Sequence, residues 1–151
     1  MDYLLRPRSL DAMLREMDGQ LEELWAVCTK MSTSFGQVGG RGGGGGDAKD
    51  GAAASYSDFV LKRERVRKQL EQAEDEILTF LRKLEGSGHR SARRDAEILR
   101  WRYVFRFDWD FIHRRLVHHG YRCETLRTVY NWHTGAVIRA AKYWEETHDL
   151  E

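Results

Sequence analysis

The sequence predicts an all-α protein, and two observations carry this prediction. The N-terminal half contains two long apolar stripes with heptad spacing, and the C-terminal half contains three shorter amphipathic patterns of helical period. No stretch alternates apolar and polar residues for long enough to indicate a β-strand, and the 151 residues include a single proline. We therefore expect an N-terminal antiparallel helical hairpin over residues 1–85 and a C-terminal three-helix unit over residues 86–151.

The first predicted helix is marked by apolar residues that recur at alternating spacings of four and three. Ser9 precedes the stripe as a good N-cap, and Pro7 argues against an earlier start because proline disrupts a helix interior. The sequence therefore predicts a helix that begins near Ser9. Its stripe consists of Leu10, Leu14, Met17, Leu21, Leu24, Cys28 and Met31.

A glycine-rich segment follows, with seven glycines in the eight positions from Gly39 to Gly46. Such a composition buries little apolar surface and predicts a flexible loop over residues 36–54. A phosphate-binding P-loop would end in Gly-Lys-Ser/Thr and lead directly into a helix, and the segment has neither feature. No nucleotide site is expected here.

The second heptad stripe begins near Ser57, a good N-cap, and contains Phe59, Val66, Leu70, Ala73, Ile77, Phe80 and Leu84. Two stripes joined by a flexible loop predict an antiparallel hairpin, because each helix alone would expose a row of large apolar side chains. Two narrow stripes make a thin core, so we also expect two hairpins to pair as a homodimer. The candidate oligomerisation residues are Leu14, Leu21, Leu24, Leu70 and Ile77.

Three helical patterns follow the Gly86-Ser87-Gly88 sequence. The first runs from Ser91 to Val104, with Ala92, Ala96, Leu99 and Tyr103 on one face. The second opens at Asp108, a good N-cap, carries Trp109, Ile112 and Leu116, and ends at Gly120. The third starts near residue 124 or 125 and carries Leu126, Val129, His133, Ala136, Val137, Ala140 and Trp144.

The near-zero net charge of the chain hides an asymmetry. Residues 1–85 contain 13 basic and 15 acidic side chains, a net charge of −2. Residues 86–142 contain 12 basic and five acidic side chains, a net charge of +7, together with five histidines. A basic unit of this kind is typical of a protein that binds a polyanion.

A short helix, a turn with a glycine and a longer helix within a basic unit predict a helix-turn-helix that binds double-stranded DNA. Arginine can bind guanine through two hydrogen bonds, asparagine can read adenine, and a threonine methyl group can contact thymine. Arginines that flank the turn would contact phosphates. The candidate DNA-binding residues are Arg114, Arg115, Arg122, Thr125, Arg127, Thr128, Asn131, Trp132, Arg139 and Lys142.

The tryptophans of this unit divide into two groups. Trp109 and Trp144 follow the apolar stripes and are expected in the core. Trp101 and Trp132 lie off the stripes, so we expect them to be partly exposed and available to DNA or to a protein partner such as RNA polymerase.

The segments AEILRWRYVFRFDWDFIHRRL and TLRTVYNWHTGAV resemble the sigma-70 region 4-like regulators of phages and mobile elements, including the ArpU and RinA types. The matching residues are Leu99, Arg102 and Tyr103, then Trp109 and Ile112, and then Thr128, Val129, Tyr130, His133 and Ala136. The resemblance implies a helix-turn-helix transcription regulator that binds promoter DNA and helps to recruit RNA polymerase. One departure is the segment VHHGYRCE, which lengthens the turn and is expected to shift the register of the reading residues.

Two alternative functions stay open at this stage. A small-terminase-like packaging subunit of a phage also combines a helix-turn-helix with an oligomerising coiled coil, and an inhibitor or adaptor could use its basic face to bind an acidic protein.

The sequence offers no pattern typical of an enzyme, a metal site or a bound cofactor. His118, His119, Cys123 and His133 do not repeat a known zinc-ligand spacing, and Asp108 and Asp110 suit the first turn of a helix. The two cysteines, Cys28 and Cys123, are far apart in the sequence and are expected to be reduced. No apolar run reaches the roughly 20 residues of a membrane span, and the N-terminus lacks a signal peptide, so we expect a cytoplasmic protein.

Overall fold

The computed structural model describes residues 2–34 and 46–148 and contains five α-helices in these ranges. They are α1 (Asp2–Ser34), α2 (Gly46–Glu85), α3 (Ala92–Leu99), α4 (Trp109–His118) and α5 (Leu126–His148). The chain continues from α3 into one π-helical turn, Arg100–Val104, closed by a hydrogen bond of 3.1 Å from Phe105 N–H to the Arg100 carbonyl. No strand occurs in the two described ranges, so the all-α prediction is confirmed.

The starts of α1 and α2 differ from the prediction. Helix α1 begins at Asp2 and includes Pro7, so the predicted N-cap at Ser9 is wrong. Leu4 and Pro7 are both fully buried, and this packing compensates for the hydrogen bond that proline cannot donate.

Helix α2 begins at Gly46, so Ser57 is not its N-cap and residues 46–54 are helical rather than a loop. The run Ala52–Ala54 explains the longer helix, because alanine has the highest helix propensity. The rest of the predicted loop, residues 36–45, lies outside the described residues.

The chain forms two compact units. We call Ser9–Leu70 the central unit, and Met1–Arg8 together with Glu71–Glu151 the terminal unit. The terminal unit thus includes the ends of α1 and α2 in addition to the predicted unit over residues 86–151.

In the central unit, α1 and α2 run antiparallel. Asp18 of α1 forms an ion pair with Arg63 of α2, and the ring centroids of Trp25 and Tyr56 lie 5.7 Å apart. The buried apolar side chains of this unit among the described residues are Met17, Val66 and Leu70. The predicted oligomerisation residues Leu14, Leu21 and Leu24 are half-buried. The core between these two helices is therefore thin.

The first apolar cluster of the terminal unit joins the ends of α1 and α2 to α3 and α5. Tyr3 stacks on Trp144 with ring centroids 4.2 Å apart, and Phe80 packs against the same indole at 5.1 Å. Ile77, predicted to mediate oligomerisation, is only 2% exposed and lies in this cluster, so it is not available at the surface. The buried members are Leu4, Ile77, Phe80, Leu81, Leu84, Ala96, Leu99, Val104, Ala136 and Ala140.

The second cluster joins α3, the π-helical turn, α4 and α5. Its buried members are Ile98, Trp101, Ile112, Leu116, Cys123 and Val129. Trp101 is 4% exposed, so the prediction of a partly exposed Trp101 is wrong. The physical reason is that α3 lies between the two clusters, with Leu99 in one and Ile98 in the other, and is buried on more than one face. None of the described helices is both long enough and apolar enough to cross a membrane.

Candidate nucleic-acid interface

Helix α4 has the start and end that its sequence predicts. The Asp108 carboxylate caps the helix by accepting a hydrogen bond of 2.7 Å from Phe111 N–H. Gly120 follows the last turn with φ of +84°, a left-handed conformation that favours glycine. Ile112 and Leu116 are fully buried and fix the inner face of α4, which leaves Arg114 and Arg115 exposed on its outer face.

The long connection between α4 and α5 is held at several points along its length. Tyr121 N–H donates to the Leu116 carbonyl at 3.0 Å, and His113 Nε2 donates to the Cys123 carbonyl at 2.9 Å. Cys123 is itself buried in the second cluster, and burial raises the pKa of its thiol. The connection therefore has a fixed register against α4, although it is longer than the turn of the regulators that the sequence resembles.

Glu97 of α3 lies beneath this connection. Its side chain is 7% exposed, and Oε1 lies 3.6 Å from His119 Nδ1 and 3.6 Å from Arg93 Nε. Burial raises the pKa of Tyr121, and the hydrogen bond between the Tyr121 hydroxyl and Glu97 raises it further. The sequence identifies Glu97 only as one of the five acidic side chains of residues 86–142. Its contacts join α3 to a loop more than 20 residues away and therefore leave no local pattern.

Asp95 forms a second buried charge cluster, between α3 and α5. It is 1% exposed and accepts hydrogen bonds from Arg139 Nε at 2.6 Å and from the Ser91 hydroxyl at 2.9 Å. Arg94 approaches its other oxygen at 3.4 Å. Arg139, a predicted DNA contact, is therefore engaged in holding α5 against α3.

Helix α5 presents an exposed stripe opposite its buried face. Val129, Ala136 and Ala140 are fully buried, whereas Arg127 and Asn131, one turn apart, are both exposed. The two side chains therefore lie on the same outward side of α5.

Threonines stabilise the start of α5. Thr128 N–H donates to the Thr125 hydroxyl at 3.4 Å, and the two hydroxyls lie 3.2 Å apart. Thr125 thus acts as an N-cap, because its hydroxyl accepts from an N–H of the first turn of α5. Thr125 is exposed and Thr128 is half-buried.

The other predicted contacts are less exposed or are already paired. Trp132 is half-buried, and the Arg94 guanidinium lies 4.3 Å from its ring centroid. Lys142 is exposed and forms an ion pair of 3.7 Å with Glu146. Trp132 is therefore partly exposed, as predicted, while it packs against the second cluster. Lys142 lies on the surface about four turns beyond the start of α5.

The arginines of the terminal unit differ in their pairing. Ion pairs with carboxylates engage Arg93, Arg94, Arg100, Arg106 and Arg139. In the described part of the chain, no carboxylate pairs with Arg114, Arg115, Arg122 or Arg127, nor with Arg90 or Arg102. Asp95 and Glu97 are buried, whereas Asp108, Asp110 and Glu124, the other acidic side chains of residues 86–142, are exposed. Exposed arginines without a carboxylate partner thus lie on α4, the connection and the first turn of α5.

No protein-family model matches this chain, and neither does any curated protein or solved structure compared with it. The resemblance to sigma region 4-like regulators stays a prediction that depends on the motifs between residues 99 and 136.

The histidines near this surface have separate roles. Among the described residues, no three His, Cys, Asp or Glu side chains are grouped so that they could hold a metal ion. His119 packs edge-on against Trp101, with ring centroids 5.2 Å apart, whereas His133 lies on α5 between Tyr103 and Trp109.

His133 is buried enough to make the fold sensitive to acid. Its Nε2 shares a hydrogen bond of 3.0 Å with the Tyr103 hydroxyl, and its ring centroid is 4.9 Å from that of Trp109. Burial lowers the pKa of His133, and the nearby Arg102 lowers it further. The unfolded chain, with a histidine pKa of about 6.5, therefore takes up this proton more readily than the folded chain.

We expect the melting temperature to fall as the pH drops below about 6.5, and this loss to be smaller in His133→Gln than in the natural chain. The other histidines are shared by both proteins, so the difference between the two pH profiles isolates His133. Parallel profiles between neutral pH and about pH 5 would show that protonation of His133 does not affect folding.

Proposed function

We propose that this protein is a sequence-specific DNA-binding transcription regulator that resembles sigma factor region 4. In this proposal α4, the connection and α5 form a helix-turn-helix, and α5 enters the major groove. The observation that carries the proposal is the set of unpaired arginines, Arg114, Arg115, Arg122 and Arg127, on the outer surface of these elements.

The difference in arginine pairing supports this assignment. A duplex carries a dense row of phosphates, and a protein that binds it gains free energy by releasing their counterions. Arginines that already pair with carboxylates release few counterions, whereas unpaired arginines are available to phosphates. The pairing pattern thus leaves the arginines of this surface available to phosphates, together with Arg90 and Arg102 elsewhere in the terminal unit.

The exposed groups support a division of roles. Arg114 and Arg115 lie on the outer face of α4 and Arg122 lies in the connection, where phosphate contacts position a helix-turn-helix. Arg127 and Asn131 lie on the exposed stripe of α5 and suit contacts with base edges. Arg139 is better assigned to the Asp95 cluster than to DNA, because its Nε already donates to that buried carboxylate.

The proposal extends to the biological role that the resemblance implies. A regulator of the ArpU or RinA type, encoded by a phage or mobile element, would act in the cytoplasm and contact RNA polymerase while bound to a promoter. Tyr130 is 43% exposed beside Asn131, and Ile138 is 62% exposed further along α5. Both offer apolar surface close to the proposed DNA contact.

Substitutions distinguish base reading from phosphate contact. On the preferred duplex, Arg127→Ala or Asn131→Ala should cost about 1–3 kcal/mol and reduce discrimination against altered sites. Arg115→Ala should instead weaken binding to all duplexes alike and lower the slope of log Kd against log salt by about 1. Fluorescence anisotropy with a selected duplex and a scrambled one measures both effects.

Arg82→Ala provides the matched control, because Arg82 is an exposed arginine of the terminal unit on α2. Its affinity should equal that of the natural chain. If Arg127→Ala and Asn131→Ala also bind as the natural chain does, α5 is not the reading helix, and the basic surface contacts a protein instead.

A further inference from the structure

Helix α1 carries an exposed stripe beside its predicted heptad seam. Met13, Glu16, Gln20, Glu23 and Val27 recur at spacings of three and four and therefore share one side of the helix. All five are exposed, with Met13 at 48% and Val27 at 52%. Gln20, Glu23, Leu24 and Val27 line an open groove of about 350 Å³ on this side. The stripe thus combines two apolar side chains, Met13 and Val27, with two acidic ones, Glu16 and Glu23.

Helix α2 carries a mainly basic stripe. Asp58, Lys62, Arg65 and Gln69 are exposed at spacings of four, three and four. Counted at about 100° per residue from the Asp18–Arg63 and Trp25–Tyr56 contacts, this stripe and the α1 stripe lie on the same side of the helix pair. One face of the central unit therefore has an acidic half and a basic half.

Within the central unit, the facing segments of the two helices follow the same division of charge. Residues 9–30 of α1 contain five acidic and two basic side chains, a net charge of −3. Residues 55–70 of α2 contain two acidic and five basic side chains, a net charge of +3. A face with halves of opposite charge is complementary to itself after a two-fold rotation.

The thin core of the central unit indicates that this face has a partner. The large apolar side chains buried there are Met17, Val66 and Leu70, and each is still 7–8% exposed. Two helices alone rarely bury enough apolar surface to be stable, and Met13 and Val27, each about half exposed, leave apolar surface on this face for a partner.

We infer that a second copy of this chain docks on this face, with α1 of each copy against α2 of the other in a four-helix arrangement. Glu16 and Glu23 of one copy face the Lys62 and Arg65 side chains of its partner, and Met13 and Val27 lie in the apolar centre. Ile77 has no part in this interface, because it lies in the core of the terminal unit. The inference does not depend on DNA binding, since it concerns only the central unit.

Charge reversal tests the inference on the full-length chain. Sedimentation velocity should show the natural protein as a dimer. The double variants Glu16→Lys/Glu23→Lys and Lys62→Glu/Arg65→Glu should each dissociate at least about 100-fold more readily, because like charges then face each other twice. An equimolar mixture of the two variants should recover the dimer, because each copy then presents charges opposite to those of its partner.

Two other measurements complete the test. Circular dichroism should show natural helix content for both variants, because neither changes the Asp18–Arg63 pair. A matched control, Glu22→Lys/Lys68→Glu, reverses two exposed charges outside the two stripes and should leave the dimer intact. A monomeric natural protein, or variants whose mixture does not pair, would overturn the inference. A ring of eight or more copies would also overturn it and would favour a packaging subunit.

Discussion

Asp95→Ala should lower the free energy of unfolding by about 3 kcal/mol, among the largest effects of any single substitution in this chain. Asp95 is 1% exposed and holds Arg139 at 2.6 Å, Ser91 at 2.9 Å and Arg94 at 3.4 Å. Its removal leaves two partly buried guanidinium groups without their carboxylate. The value is at the low end for a buried pair because Arg139 remains 35% exposed to water.

Urea unfolding measures this effect, with Asp110→Ala as the control. Asp110 is an exposed carboxylate in the first turn of α4, so its loss should change the free energy of unfolding by less than about 0.5 kcal/mol. Asp95→Asn should lower the free energy of unfolding by less than Asp95→Ala and by more than Asp110→Ala. The amide still accepts a hydrogen bond from Ser91 but lacks the negative charge that pairs with Arg139. Equal midpoints for Asp95→Ala and the natural chain would show that the cluster contributes nothing to stability.

Leu116→Ala should lower the free energy of unfolding by about 2–5 kcal/mol. Leu116 is fully buried in the second cluster, where it packs with side chains from α3, α4 and α5. Truncation removes apolar contacts and leaves a cavity that a close-packed core fills only in part. The same cluster fixes α4 against α5, so under the proposed function the variant should also bind DNA more weakly.

Val117→Ala is the control for this substitution, because Val117 is the next residue on α4 and is 50% exposed. It should change the free energy of unfolding by about 0.5 kcal/mol or less. If both variants unfold at the same urea concentration, the second cluster is not the packing core that joins these helices.

Local signals predicted the parts of the fold that local chemistry decides. Asp108 and Gly120 mark the two ends of α4 because an N-cap carboxylate and a left-handed glycine act within one turn of the helix. The exposed position of Arg127 and Asn131 also follows from the helical period, because Val129 occupies the opposite face.

Long-range packing decided the features that the sequence did not reveal. Pro7 lies inside α1 because Leu4 is buried in the first cluster of the terminal unit, and this packing outweighs the local rule for proline. Trp101 is buried because α3 and the π-helical turn that follows it pack against neighbours on two sides. A single periodic stripe in the sequence indicates only one buried side. The Asp95–Arg139 pair joins residues 44 positions apart, so no sequence spacing separates Arg139 from the arginines that stay unpaired.

The most direct test of the account is the affinity of the full-length chain for a duplex selected from a random library, measured at physiological salt against a scrambled duplex of equal length. We expect the selected site to bind at least about 1,000-fold more tightly, with Arg127→Ala reducing this preference by about 5- to 150-fold. Equal affinity for the two duplexes, or no binding to either, would contradict the assignment of α5 as a reading helix.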